Sequence, residues 1–256
     1  MYYRPHYSPY YAPSPGAGVA VARPNPFRMV PFLVGLCVVA SHFSSSVDGF
    51  QSPSSVLGPG VSVAELSIAL DVSDRDSPNS ILSALSRLSK TARTDRRSGV
   101  QNLTSQVALE LLRRKASIVA ASSSASRHRD GNWAQRVYND LAIEQRSKFE
   151  RETLSQYGGV EYSDPHTDPS RPEYAPKATI AVVTILLLIE GDHTSKKLSS
   201  NIGSVRDAEE ALRCIAADAT ADECLRGAEI LWCPEQREDT LTMRDIVADY
   251  PRLRSL

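Results

Sequence analysis

Two short stretches gather the residue types that bind metals or move protons. Asp164-Pro165-His166-Thr167-Asp168 sets an imidazole between two carboxylates, and Glu190, Asp192 and His193 repeat that chemistry on a second turn. His166, Asp168 and His193 are thus the candidates for a metal-dependent hydrolase-type enzyme. The spacing argues against it. No HExxH or comparable helical pair sets two ligands on one face, and the prolines around residues 164–168 deny that loop the rigid support a metal site needs. Catalytic, cofactor-binding and metal-binding residues are therefore assigned as none, and the hydrolase is kept as the alternative reading.

Four cysteines without CxxC spacing exclude a disulfide scaffold and the common zinc modules. Cys214 falls on an apolar helical stripe and Cys233 at a strand end, the setting of inert buried thiols. Whether Cys224 and Cys233 pair depends on the fold. Gly16-Ala17-Gly18 and Gly158-Gly159 form no phosphate-binding loop. With 29 basic and 30 acidic side chains the chain lacks the pull on phosphate backbones that nucleic-acid binders show, so no nucleic-acid partner is expected. A local basic cluster, Arg87, Lys90, Arg93, Arg96 and Arg97 with Arg113, Arg114 and Lys115, fits a solvated helical face better than an anionic lipid surface.

Composition changes along the 256 residues mark four regions. Residues 1–26, with five tyrosines and six prolines, have the make-up of a disordered tail. Residues 27–43 are apolar: Phe27, Met29, Val30, Phe32, Leu33, Val34, Leu36, Val38 and Val39 make them a membrane-anchor candidate, although the run is shorter than the roughly 20 residues of a straight span. A targeting segment and an apolar linker are the competing readings. Residues 44–60 are a Ser/Pro/Gly linker, and residues 61–256 form the folded body.

Within that body, Val61–Val72 alternates as a half-buried strand. Ile81, Leu85 and Leu88 form one helical stripe, and Leu103, Val107 and Leu111 a second. Ala116–Ser122 is a doubtful strand before a polar turn, SSSASRHRDG. Asn132–Ser155 reads as a helix broken near Ala142, with Trp133, Val137 and Leu141 facing inward. Ala178–Ile189 is a central strand buried on both faces. A helix capped by Ser204, the strand Leu225–Cys233 and a helix capped by Thr242 and Asp245 complete the order. The expected fold is α+β: a mixed sheet of about four strands covered by helices, with a packed interior and no reactive pocket.

The carboxyl-terminal stretch carries a resemblance. Leu231-Trp232-Cys233-Pro234, then Asp239-Thr240-Leu241-Thr242, then Asp249-Tyr250-Pro251-Arg252-Leu253 resemble the closing signature of the DUF1517 family. Arg146-Ser147-Lys148-Phe149 and the long strand ending in Glu190-Gly191 extend the similarity from Val61 to Leu256. Trp232, Pro234, Asp239, Thr240, Leu241, Asp249, Tyr250 and Pro251 are the family-motif residues, and packing, stops and caps account for them. The resemblance implies a non-enzymatic, membrane-associated protein of a chloroplast or cyanobacterial membrane. It implies a role in photoprotective energy dissipation and thylakoid proton balance, exerted through contacts with a protein partner. A soluble interaction scaffold is the further alternative. Partner and oligomeric state are not legible.

Overall fold

The computed structural model describes residues 55–158, 178–198, 201–234 and 239–256, with side chains up to Lys148 in the first stretch. The tail, the anchor candidate 27–43, most of the linker and the loop 164–168 lie outside the described residues. Among the described residues, no helix is long and apolar enough to cross a membrane.

Five strands form one sheet: β1 (Val61–Val72), β2 (Ile118–His128), β3 (Thr179–Glu190), β4 (Leu225–Cys233) and β5 (Arg254–Ser255), in the order β4-β3-β1-β2-β5. Every pair is antiparallel, so the expected mixed sheet of about four strands is corrected to an antiparallel sheet of five. Six α-helices are described: α1 (Ile81–Thr91), α2 (Arg97–Arg113), α3 (Gly131–Gly158), α4 (His193–Lys197), α5 (Val205–Ala219) and α6 (Met243–Asp249). Helices α1, α2 and α5 pack on one face of the sheet, around Leu66, Ile68, Val183, Ile185 and Ile230. Helices α3 and α6 cover the other face, over Val63, Ala69, Val182, Leu186 and Leu231.

Local rules account for much of this. The β-branched, continuously apolar β3 is buried along nearly its whole length on both faces. Helix α5 starts where the Ser204 hydroxyl accepts the Asp207 amide at 3.2 Å, and it buries Ala208, Leu212 and Ile215. Thr242 and Asp245 close a reciprocal capping box at the start of α6.

Three expectations are corrected by tertiary packing. Strand β1 is not half-buried: Glu65 and Ser67 are as covered as Leu66, because α3 lies over the face read as wet. Strand β2 runs to His128 through the serines read as a turn, held by continuous pairing with β1. Helix α3 is unbroken at Ala142, and its buried stripe is Ala134, Tyr138, Ala142 and Gln145, while Trp133 is exposed. Val137 and Leu141 flank that stripe, partly buried against the same cluster. Cys224 and Cys233 sit at opposite ends of β4, and no disulfide joins them. The last residues of the linker, 55–60, pack on the body: Leu57 O accepts the Asp192 and His193 amides, each at 3.0 Å.

Candidate functional site

Strand register sets the site. Across the face under α3, Ser124, Glu65, Leu186 and Glu229 stand in one row on β2, β1, β3 and β4. Side chains in such a row share a face, so two glutamates are buried on either side of one leucine. A buried carboxylate needs hydrogen-bond partners or it loses its charge. Consecutive residues of α3 supply them. Gln145 Nε2 donates to Glu65 Oε1 at 2.8 Å, and the Arg146 guanidinium pairs with Glu229.

The chain's end completes the arrangement around Glu65. Arg252 Nη1 lies 3.3 Å from Glu65 Oε2, and Arg252 Nη2 lies 2.8 Å from Glu144 Oε1, so one guanidinium bridges two carboxylates. Ser124 Oγ donates to Glu65 Oε2 at 3.4 Å. Burial pushes the Glu65 carboxyl above its ordinary 4.5 despite the opposing charges of Arg252 and Lys148, and the nearby Glu144 adds to the rise. Lys148 donates to Gln145 Oε1 at 2.8 Å and lies 5.3 Å from the centre of the Tyr250 ring.

Above this row opens a cleft of about 520 Å³. Its lining includes Glu65, Ser67, Glu144, Lys148 and Arg252, and α6 with the segments flanking it forms one wall. Ser67 Oγ and Thr184 Oγ1 bond to each other at 2.8 Å, which ties that serine hydroxyl to a neighbour rather than to a base. His128 and His193, the two histidines among the described residues, are not in the lining. A cleft with both signs of charge and a readily neutralised acid is suited to recognising a polar partner.

The signature residues of the carboxyl-terminal stretch converge here. Pro234, Asp239, Thr240, Leu241, Asp249, Tyr250 and Pro251 all line the cleft. Several also fasten its wall to the sheet. Leu241 O accepts the Ile180 amide at 2.9 Å, the Leu241 amide donates to Thr179 Oγ1 at 2.9 Å, and Asp239 O accepts from Arg75. Trp232 is the exception, pointing into the core on the opposite face. The family model described as "Protein of unknown function (DUF1517)" matches residues 60–256. The chain belongs to the DUF1517 family. It is 29% identical over 258 residues to the protein named FLUCTUATING-LIGHT-ACCLIMATION protein 1, chloroplastic, of Arabidopsis thaliana, which covers 97% of this chain and 62% of that relative. It is 26% identical over 216 residues to Protein FLAP1 homolog A of Synechocystis sp. (strain ATCC 27184 / PCC 6803 / Kazusa), which covers 82% of this chain and 61% of that relative. The chain thus spans about three fifths of the length of the curated relatives it matches. No solved structure matches it.

For this DUF1517 protein the other candidate residues fall as follows. The nine anchor residues between Phe27 and Val39, and His166 with Asp168, lie outside the described residues. His193 does not join its sequence neighbours: Glu190 pairs with Arg226, and Asp192 pairs with Lys196 at 2.8 Å and Arg127 at 3.3 Å. It turns instead to Asp218 and Cys214 on α5, the one set of described side chains arranged as metal ligands. Much of the basic cluster is occupied locally, Arg113 and Arg114 by Glu110 and Lys115 by Glu209. Gln145, Ser124 and Ser67 were not singled out as functional from the sequence. A polar residue continuing the buried stripe of α3 is the signal that marks Gln145.

Proposed function

We propose that this DUF1517 protein is a non-enzymatic regulator of photosynthetic acclimation to changing light, acting through a protein partner bound at the cleft above Glu65. The names of the two relatives support the acclimation role and a chloroplast or cyanobacterial setting. The observation that carries the mechanism is the convergence of seven signature residues on one cleft with a buried, arginine-bridged glutamate. Residues 27–43 tether the body to a membrane, a reading supported by their apolar sequence.

The test is genetic. Loss of the protein in its photosynthetic host should alter chlorophyll-fluorescence quenching under alternating light, and the full chain should restore it. Arg252→Gln, at a half-exposed side chain, should accumulate normally yet fail to restore it. Unchanged quenching on loss would overturn the regulatory reading, and full rescue by Arg252→Gln would overturn the role of the cleft. Fractionation with and without residues 27–43 checks the tether; equal solubility of the two forms removes it.

A further inference from the structure

His193, Cys214 and Asp218 come together from two helices that pack on each other. Cys214 and Asp218 are four residues apart on α5, so they stand one above the other on a single face. His193 opens α4 immediately after the turn at Gly191, whose φ of +104° and contact with Leu57 leave no room for a side chain. His193 Nδ1 lies 3.0 Å from both Asp218 oxygens, and Cys214 Sγ lies 3.4 Å from Asp218 Oδ2. All three donor atoms fall within 4.8 Å of one another. In a tetrahedral zinc site, metal–ligand bonds of about 2.0–2.3 Å place the donors about 3.3–3.6 Å apart. The observed spacing needs only small side-chain adjustments to reach that geometry.

We infer that His193, Cys214 and Asp218 form a binding site for a divalent, borderline-soft cation of the zinc type. The donor set of imidazole nitrogen, thiolate sulfur and carboxylate oxygen is the mixture such ions prefer over magnesium or calcium. Charge fits as well: thiolate and carboxylate together carry two negative charges, which one divalent ion neutralises around a neutral imidazole. Asp218 is only 3% exposed and is held from behind by the fully buried Thr194, whose Oγ1 donates to Asp218 Oδ2 at 2.8 Å. That is the support an outer hydroxyl gives a ligating carboxylate. A thiol that becomes a ligand releases its proton to solvent as the cation binds, so one proton is exchanged for one cation. The nearby cation Lys197 opposes the incoming charge, while Lys196 is engaged by Asp192. The half-exposed imidazole gives a cation access from solvent.

Cobalt(II) is the probe, titrated into the full chain. The expected result is a thiolate-to-metal charge-transfer absorption with tetrahedral d–d bands, saturating at one cobalt per chain and displaced by zinc. Cys214→Ser should abolish the charge-transfer band. His193→Gln and Asp218→Asn should weaken binding by more than about 100-fold, and Thr194→Val by about tenfold. His166→Gln and Cys37→Ser should leave the spectrum unchanged. If Cys214→Ser loses its far-UV circular dichroism, His193→Gln decides, since that side chain is 45% exposed and tolerates replacement. Absence of the band in the wild-type chain, its survival in Cys214→Ser, or an unchanged cobalt affinity in His193→Gln overturns the site.

Discussion

Toward α1, α2 and α5, strand β1 presents Leu66, Ile68 and Leu70; toward α3, the same strand presents Glu65 and Ser67. Both faces are covered, yet of the side chains of β1 only those on the second face include a charge. On the first, burial itself is the driving force, and any side chain of similar shape would serve. On the second, each buried carboxylate costs desolvation that must be offset by a matched donor, so Gln145, Arg146 and Arg252 have to stand where they do. The lesson is a division of labour. One side of the sheet supplies stability, and the other spends some of it on an arrangement of polar groups beside an open cleft.

The comparison breaks first on the apolar side. Leu66 is fully buried at the centre of its cluster, and Leu66→Ala should destabilise the protein by about 4 kcal/mol in denaturant unfolding, transfer and cavity contributions together. A cost near 1 kcal/mol would mean that this side is not the tightly packed one. On the polar side, Arg146→Ala leaves Glu229, which is fully buried, without its guanidinium, at an expected cost of about 3 kcal/mol. Combining Arg146→Met with Glu229→Leu should recover most of that loss, because removing both charges also removes their desolvation. If the double variant is no better than Arg146→Ala, the pair contributes net stability and the two sides do not differ as argued.

How much of this was legible in the sequence follows the same division. Strand β4 was readable end to end, β3 to within one residue at either end and α5 from its Ser204 cap, since an apolar run with a cap or a proline at its border is local information. Glu65 was placed on the wet side because strict alternation implies one solvated face, and nothing local in β1 announces that α3 will cover it. Strand β2 was cut short because serine weakens the strand signal, although its pairing with β1 keeps it extended. Of the stripe read for α3, Val137 and Leu141 pack partly buried against the core while Trp133 is exposed, and the fully buried positions are Ala134, Tyr138, Ala142 and Gln145, one residue further along the helix surface. The cleft escaped notice for a topological reason: it joins residues near positions 65, 148 and 250, which only the finished fold brings together. The spacing of Cys214 and Asp218 was visible on α5, but their third partner comes from another helix.

The smallest and most selective test uses one buried acid from each side. Glu110 on α2 also suffers desolvation, but Arg114 and Arg113 together outweigh it and hold its carboxyl below the ordinary 4.5; for Glu65 desolvation wins and the carboxyl is raised. The signs of their pH effects are therefore opposite. Folded Glu65 keeps its proton more tightly than the unfolded chain does, so its favourable contribution is complete below pH 4.5 and fades as pH rises through the raised folded value. Glu110 contributes above pH 4.5 and loses that contribution as pH falls through its lowered folded value. Glu65→Gln should consequently gain on the wild type progressively as pH increases from 4.5, with the two curves parallel at lower pH. Glu110→Gln should fall behind the wild type most above 4.5 and approach it in acid. Denaturant unfolding across this pH range measures both differences. Should Glu65→Gln instead lose ground as pH rises, Arg252 and Lys148 dominate the site, and the polar side of the sheet holds its acid charged after all.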